Sequence, residues 1–384
     1  MQRVGIICEY NPLHLGHQKQ IQAVRHMAGG DCAVVCLMSG NFVQRGYPAV
    51  FDKRYRAQAA VACGADLVLE LPVTYALSSA EGFAAGGVSI LSRICDTLCF
   101  GAETADRDIL LGAARALLSP DFSGALRSQL EKGISFPAAR QAALESLGLE
   151  GSILDAPNNI LAVEYCKAIL SQGSALTALP IHRGGSYHDD QPDAENPSAT
   201  SLRRLIADGQ EWTQYVPQEA AAIFCSAAVH DLSYGEKAVL ARLRTMTESE
   251  FESLPYGSEG LWRKFMHACR REASLEAILS ATKSKRYTRS RLDRMAMCAF
   301  LGLSAAGLAA PAPYTRILAF NDRGRGILNS AKDSAFFVNA GEDTSDPYQA
   351  IEQRCGSLYG LFAPTPEGPD RAKNERVYYA RKYE

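Results

Sequence analysis

The sequence has no Cys-x-x-Cys pair, although it contains 11 cysteines in 384 residues. The closest pairs, Cys32/Cys36 and Cys95/Cys99, lie in apolar runs typical of buried strands. An odd number of cysteines without a paired framework argues against a disulfide scaffold and a zinc site, and the N-terminal segment shows no secretory signal. We therefore expect core thiols that behave as small hydrophobes in a cytoplasmic protein.

Long apolar segments are also missing, because no run approaches the ~20 residues that a helix needs to span a bilayer. The hydrophobic fraction of 47% and the charged fraction of 21% are ordinary for a globular protein. A formal net charge of -2 excludes a generally basic surface, so binding of a nucleic acid has to depend on local patches. The length predicts two or three domains. We expect no membrane association, and the sequence implies no protein partner.

Short apolar runs alternate with helical stretches in the first two hundred residues. Strands are predicted at Arg3–Cys8, Cys32–Met38, Asp66–Leu71, Thr97–Phe100 and Leu176–Ile181. Helices are predicted at 16–26, 52–63 and 79–92, and another near Ser198. Strands that are apolar on both faces and alternate with helices indicate an α/β fold with a parallel sheet covered on both sides.

The pattern changes near residue 210, where helical periodicity takes over without convincing strands. Mixed character returns after Pro311, with strand candidates at Arg316–Phe320 and Ala335–Asn339. We therefore predict an α/β domain at 1–210, a helical domain at 211–310 and a small C-terminal α/β appendage at 311–384.

The strongest local signal is the segment 5–17, in which a strand ends and His-x-Gly-His stands where the next helix begins. Free N–H groups at such a helix start bind phosphate, and Gly16 lets a nucleotide lie against the backbone. His14 and His17 can donate hydrogen bonds to phosphate oxygens and so stabilise an in-line displacement, with Asn11 as a neutral donor. Two surface histidines in a turn are the alternative, but the position after the first strand favours catalysis.

A second element, Pro197–Arg203, follows the last predicted strand and begins a helix. Ser198 and Thr200 are ordinary helix caps by themselves. With Arg203 one turn further on, they are suited to gripping β- and γ-phosphates. Together the two motifs resemble the HxGH nucleotidylyltransferase superfamily, which closes its ATP site in this way. The resemblance implies a Rossmann-like parallel sheet.

Further segments narrow this resemblance. They are Met38–Pro48, Ala65–Pro72, Phe100–Glu103, Pro157–Leu161, Tyr187–Asp189 and Lys285–Arg294. With these, the sequence resembles the bacterial tRNA(Met) cytidine acetate ligase family over essentially its whole length. The resemblance implies that ATP and acetate give acetyl-adenylate and pyrophosphate, and that the acetyl group passes to N4 of the wobble cytidine in elongator tRNA(Met).

The same resemblance implies the site residues, with Mg²⁺ accompanying ATP and no metal held by protein ligands alone. The catalytic pair is His14 and His17, and the ATP-binding residues are Ile7, Glu9, Tyr10, Asn11, Pro12, Gly16, Gln20, Gly101, Asn158, Asn159, Arg183, Ser198, Thr200 and Arg203. Ser39, Gly40 and Asn41 follow the second strand and are expected to form the acetate side. His188 is interpreted as a loop residue, because no metal-ligand spacing surrounds it.

A dense basic segment is the candidate tRNA-binding element, although a solvated helix face gives the same pattern. Its residues are Lys283, Lys285, Arg286, Arg289 and Arg291. Tyr287 lies among them and is expected to stack on an unpaired base. Lys53, Arg54 and Arg56 are expected to line the path of the RNA towards the active site.

Two other functions remain open at this point. A cofactor-type adenylyltransferase shares both nucleotide motifs but does not need the basic segment. A catalytically inactive RNA-binding protein is the other possibility, although both histidines, Gly16 and Arg203 are present.

Overall fold

A computed structural model describes residues 1–29, 31–183, 197–331 and 333–381. The predicted segment 187–189, including His188, lies outside the described residues. The strands are β1 Gln2–Cys8, β2 Cys32–Ser39, β3 Phe42–Val43, β4 Tyr47–Pro48, β5 Leu67–Leu71, β6 Thr97–Ala102, β7 Thr177–His182, β8 Thr315–Asn321, β9 Phe337–Asn339 and β10 Tyr378–Ala380.

Helices connect most of these strands and fill the second half of the chain. They are α1 Leu15–Met27, α2 Lys53–Ala62, α3 Val73–Ala76, α4 Ala80–Leu91, α5 Arg107–Leu118, α6 Pro120–Glu131, α7 Phe136–Ser146, α8 Pro157–Ser171, α9 Ala199–Ala207, α10 Gln218–Phe224, α11 Leu232–Thr245, α12 Glu248–Glu252, α13 Leu261–Cys269, α14 Leu275–Thr282, α15 Arg289–Leu301, α16 Ala305–Ala309, α17 Asp322–Asn329 and α18 Tyr348–Tyr359.

The main sheet has the order β10-β8-β5-β2-β1-β6-β7, with β9 also paired to β8. The strands β5, β2, β1, β6 and β7 run parallel, whereas β8 is antiparallel to β5. This arrangement confirms the predicted α/β fold with a Rossmann-like parallel sheet. The chain moves outwards from β1 in both directions, so a crevice forms beside the carboxyl end of β1.

Both faces of the sheet are covered, which is why β2 is buried along its whole length. Alternate residues of β2 point to opposite faces. Val35 and Leu37 pack with the helices α4, α5 and α8, whereas Val34 and Cys36 pack with α1, α2 and α10. All 11 cysteines are free, and only Cys95 and Cys225 are not buried, so the prediction of core thiols is confirmed.

The C-terminal strands belong to the same sheet as the N-terminal ones. β8 covers the edge of β5 by pairing Leu67 with Phe320, and both β9 and β10 then pair with β8. An uncovered edge strand is a site for aggregation, and β8 removes that edge from β5. The boundary predicted at residue 311 therefore does not separate an independent appendage, because its strands complete the main sheet.

The helices α11 to α16 form a second apolar core that α18 completes. Phe251, Phe265 and Leu292 are buried in this core, and Phe42 from β3 packs into it as well. The two halves of the chain therefore meet at the short β3–β4 hairpin. Among residues 1–29, 31–183, 197–331 and 333–381, no helix is long and apolar enough to cross a membrane.

Candidate active site

A cavity of about 510 Å³ opens at the carboxyl ends of β1, β6 and β7. Its wall also includes the loop after β1, the first turns of α1 and α9, part of α8, and the β3–β4 hairpin. The volume lies within the usual range for pockets that bind small molecules and cofactors. Most of the predicted ATP-site residues lie on this wall: Ile7, Glu9, Tyr10, Asn11, His14, Gly16, His17, Gln20, Gly101, Asn158, Arg183, Ser198, Thr200 and Arg203.

The two histidines hold each other in place at the start of α1. His14 is the N-cap, and its Nδ1 accepts a hydrogen bond from the backbone N–H of Gly16 at 3.2 Å. The backbone N–H of His14 donates to Nδ1 of His17 at 3.3 Å, and the rings stack with their centroids 3.7 Å apart. Because both Nδ1 atoms accept, the proton of each neutral ring sits on Nε2.

Burial keeps both imidazoles neutral. It lowers the pKa of His14 to about 3, with Arg183 and Arg203 adding to the effect. Burial also holds the pKa of His17 well below its ordinary value, with help from His14 and Arg183. Nε2 of His14 has no hydrogen-bond partner within the described parts of the chain. A buried donor of this kind normally has a partner, and a phosphate oxygen would supply one.

Arg203 ties the start of α9 to the loop after β1. It donates to the carbonyl oxygen of Asn11 at 2.8 Å and to Oγ1 of Thr200 at 3.1 Å. The side-chain oxygen of Asn11 accepts from the backbone N–H of Val50 at 2.8 Å, so the amide nitrogen remains as its donor. Ser198 caps α9 by accepting from the backbone N–H of Ser201. The loop and α9 therefore present donors to one side of the cavity.

The opposite side of the cavity is formed at the ends of β6 and β7. Arg183 donates to the side-chain oxygen of Asn158 at 3.3 Å, and Asn158 donates to Glu103 at 2.7 Å. Gly101 lies beside Arg183. A Cβ atom added at Gly101 would lie 3.5 Å or more from the Arg183 side chain. Arg183 supplies a positive charge here, and Asn158 fixes its position.

Pro12 and Asn159, both predicted to bind ATP, do not line the cavity. The side-chain oxygen of Asn159 accepts from the backbone N–H of Thr104 at 2.8 Å, and its nitrogen donates to Oγ1 of Thr104 at 3.1 Å. Asn159 is buried, and its two hydrogen bonds to Thr104 stabilise the turn after β6.

The residues predicted for the acetate side, Ser39, Gly40 and Asn41, also lie behind the wall and not on it. Arg56 is fully buried and donates to the carbonyl oxygens of Ser39 and Gly40, at 3.0 and 2.5 Å. The side chain of Asn41 bonds to Asp52 and to the backbone N–H of Lys53. The segment 39–41 therefore anchors the hairpin, whose residues 43–47 reach the cavity instead.

Arg56 was expected to line an RNA path, and the structure contradicts this. Its guanidinium also donates to the carbonyl oxygens of Glu9 and Phe51, at 2.6 and 2.8 Å, so it holds the loop after β1 from behind. Lys53 is likewise buried, in ion pairs with Glu70 and Glu375 at 2.8 and 3.0 Å. Sequence alone gave no signal for this burial, because a surface helix carries the same residues.

Among the wall positions that sequence reasoning missed, four belong to the hairpin: Val43, Gln44, Arg45 and Tyr47. The backbone N–H of Gln44 donates to the carboxylate of Glu9 at 2.7 Å. The segment Met38–Pro48 that contains them carries part of the family resemblance. Within it, the sequence predicts Ser39, Gly40 and Asn41 as the site residues, because they directly follow the second strand. The polar and aromatic composition of 44–47 was the available signal.

The basic segment divides into exposed and paired residues. Lys283, Lys285 and Arg286 are exposed, and a bridge between Ser284 and Tyr287 places Lys285 and Arg286 at the tip of a turn. Arg286 pairs with Glu259 at 2.9 Å. We call residues 283–288 the basic turn.

The remaining arginines of the segment have partners within the fold. Arg289 pairs with Glu276 at 2.6 Å and with Asp293 at 2.8 Å, whereas Arg291 donates to the carbonyl oxygen of Tyr256 at 2.7 Å. The expectation that Tyr287 stacks on a base is wrong, because its ring is buried and Arg291 lies 5.0 Å over it.

Comparisons with known proteins agree with this geometry. The family model described as HIGH Nucleotidyl Transferase matches residues 1–374. The tRNA(Met) cytidine acetate ligase of Clostridium novyi (strain NT) is 36% identical over 351 residues, which are 86% of this chain and 88% of that protein. The enzyme of the same name from Clostridium perfringens (strain ATCC 13124) is 34% identical and covers 95% of this chain and 96% of its own.

Solved structures show the same likeness over the whole chain. The apo crystal structure of Thermotoga maritima TmcAL is similar with a TM-score of 0.91 at 29% identity, and each chain is covered to 100%. The structure of that protein bound with alpha-thio ATP is similar with a TM-score of 0.87, again at 29% identity and full coverage.

Proposed function

We propose, from the premise that this chain belongs to the HIGH nucleotidyl transferase family and within it to the tRNA(Met) cytidine acetate ligases, that its cavity activates acetate with ATP and passes the acetyl group to tRNA. The chain is an ATP-dependent ligase that acts on tRNA. The acceptor is N4 of the wobble cytidine in elongator tRNA(Met), and the intermediate is acetyl-adenylate. The free, mostly buried thiols support a cytoplasmic location.

In the first step, an oxygen of acetate attacks the α-phosphorus of ATP and pyrophosphate leaves. Negative charge on the α-phosphate is met by the Nε2–H groups of His14 and His17, which burial keeps neutral and which their Nδ1 hydrogen bonds aim. Arg183 and Arg203 add positive charge from the two sides of the cavity. Fixed donors in a site with little water need no reorganisation as the charge develops, so they stabilise the transition state.

Mg²⁺ fits this site as an ion carried by the nucleotide. Glu9 is the carboxylate among the wall residues that the structure describes, and no cluster of three or more His, Cys, Asp or Glu in that part of the chain forms a metal site. Mg²⁺ usually binds through one or two carboxylates together with substrate phosphates. Glu9 would be its protein ligand, and the ion would offset phosphate charge.

In the second step, the exocyclic amine of cytidine attacks the acetyl carbon, AMP leaves, and the amine loses a proton. Acetyl-adenylate reacts with water, so the cavity has to exclude solvent until the acceptor arrives. The β3–β4 hairpin forms the wall between the cavity and the helical half, which places it beside the expected approach of the RNA.

The observation that carries this proposal is the stacked pair of histidines on the cavity wall, each with its Nδ1 bound to a backbone N–H and its proton left on Nε2. The test is exchange of labelled pyrophosphate into ATP, with and without acetate. Exchange that requires acetate is the expected result. Exchange that proceeds equally without acetate, or none with acetate and tRNA both present, would overturn carboxylate activation.

The acceptor is tested by incubating the enzyme with ATP, acetate and tRNA(Met) transcripts. Digestion and mass spectrometry should detect N4-acetylcytidine in the transcript with cytidine at the wobble position. A matched transcript with uridine at that position is the control. Equal acetylation of both transcripts would reject the wobble cytidine as the acceptor.

A further inference from the structure

A buried carboxylate connects the cavity wall to the basic turn. Asp293 on α15 is only 4% exposed, and it accepts hydrogen bonds from two directions. The hydroxyl of Tyr47 donates to Oδ2 at 3.0 Å, and Nε of Arg289 donates to Oδ1 at 2.8 Å. Tyr47 lines the cavity, and Arg289 immediately follows the basic turn. Neither the ATP site nor the apolar core requires a carboxylate at this position.

The hairpin and α15 are also in close backbone contact. Gly46 has a φ of +84°, and a Cβ there would come within 2.5 Å of the carbonyl carbon of Asp293. Arg294 donates to the carbonyl oxygen of Gln44 at 3.4 Å, and the N–H of Gln44 donates to Glu9 at 2.7 Å. Movement of α15 therefore has to move the cavity wall, because at Gly46 the backbone of the hairpin packs directly against the backbone of α15.

Arg289 connects the two helices that flank the basic turn, α14 and α15. Its guanidinium makes two hydrogen bonds to the carboxylate of Glu276 on α14, at 2.6 and 2.8 Å, besides the one to Asp293. Arg289 is thus held by two carboxylates, and phosphate binding falls to the exposed Lys283, Lys285 and Arg286. The basic turn spans the gap between α14 and α15, which Arg289 joins.

We propose that Tyr47, Asp293 and Arg289 form a link that sets the position of the β3–β4 hairpin when an RNA backbone binds the basic turn. The inference rests on the proposed function, because it concerns the second substrate of that reaction. The three are positioning residues for acetyl transfer. Asp293 and Arg289 lie off the cavity wall, so a break of the link at Asp293 leaves the groups that meet the α-phosphate in place.

The experiment separates the two steps in Asp293→Asn and Tyr47→Phe. In Asp293→Asn, whose altered residue lies off the cavity wall, acetate-dependent exchange without RNA should stay within about twofold of the wild type. Single-turnover transfer from preformed acetyl-adenylate to tRNA(Met) should slow about tenfold in both variants. The double variant should be no slower than either single one, because both substitutions break the same link. Tyr47→Phe removes one oxygen atom only, so it keeps the test valid if Asp293→Asn folds poorly.

Tyr314→Phe is the matched control. Its hydroxyl likewise donates to a carboxylate, that of Glu352 at 2.6 Å, but it lies away from the cavity wall. Both steps should proceed at the wild-type rate in this variant. Equal losses in both steps, additive losses in the double variant, or unchanged transfer would each overturn the link. A wild-type protein that fails to catalyse exchange would instead reject the proposed function, and the link with it.

Discussion

Behind the loop after β1, the positive side chain of Arg56 is buried and bonds to backbone carbonyls, whereas in the basic turn positive side chains are exposed. Arg56 is fully buried and makes hydrogen bonds to four carbonyl oxygens, and Arg203 holds the carbonyl of Asn11. Lys285 and Arg286 instead project from the tip of a turn. The same charge therefore organises a loop in one region, and in the other it is exposed for the RNA contact that we propose.

The difference follows from the cost of burying charge. A buried guanidinium is tolerated only when its donors are satisfied, so it fixes the atoms that satisfy it. An exposed cation keeps its hydration and contributes little to folding, but it attracts phosphates over a distance set by salt. Substitutions in the two regions should consequently affect different measurements.

Removing either catalytic imidazole should have the largest effect. We expect His14→Ala and His17→Ala to slow acetate-dependent exchange by about 10²–10³-fold, since each loses a donor aimed at developing charge. His26→Ala, on the exposed final turn of α1, is the control and should leave the exchange rate unchanged. Retention of more than a tenth of the activity in His14→Ala would contradict the role given to that ring.

Replacing Arg56 tests the organising role of buried charge. Arg56→Met should lower the free energy of unfolding by about 3 kcal/mol or more, because four carbonyl oxygens lose their donor. Urea denaturation measures the change. The half-exposed Arg54, bonded to Asp52, provides the control Arg54→Met, for which we expect a loss below about 1 kcal/mol. Equal losses of unfolding free energy in the two variants would mean that the buried hydrogen bonds of Arg56 stabilise the protein no more than those of the half-exposed Arg54 do.

Acidification should reveal the buried neutral histidines. His14 has a pKa of about 3 in the folded protein, against about 6.5 when unfolded, so the unfolded chain binds the proton first. Its stabilising contribution is complete above pH 6.5 and is lost as pH falls from there towards 3. Between pH 7 and 5 the wild type should lose about 2 kcal/mol more stability than His14→Gln. Urea denaturation at each pH measures the change. Stability profiles of the wild type and His14→Gln that run parallel between pH 7 and 5 would contradict the burial of a neutral His14.

Substitutions in the basic turn should have the smallest effect and act on RNA alone. Lys285→Ala and Arg286→Ala should each raise KM for tRNA a few-fold and reduce its salt dependence by about one counterion. Exchange without RNA should not change. Lys132→Ala, an exposed cation just after α6, is the control. An unchanged KM in both variants would move the RNA contact elsewhere on the helical half.

Much of the fold followed from patterns that are local in sequence. Continuous apolar runs such as Cys32–Ser39 indicate strands buried on both faces, and five parallel strands were located to within two residues at most ends. The spacing of His14 and His17 places both rings on one turn of a helix, where they can contact each other. Their position after β1 was therefore informative without any knowledge of distant residues.

Pairings between distant parts of the chain could not be predicted in this way. The return of β8 to the edge of β5 joins residues about 250 positions apart, so the tail looked like an appendage. Tyr47 and Asp293 are separated by 246 positions, and nothing in the two segments that contain them indicates that they are in contact. Burial of Tyr287 likewise depends on which helices pack over it.

The sequence by itself determined the α/β class, the strand–loop–helix that carries the two histidines, and the chemistry those side chains can perform. Only the tertiary structure decided which cations are buried, which hairpin residues line the cavity and where the final strands pair. The physical reason is that periodicity and helix capping act over a few residues, whereas desolvation and long-range hydrogen bonds depend on all the elements that pack around a group.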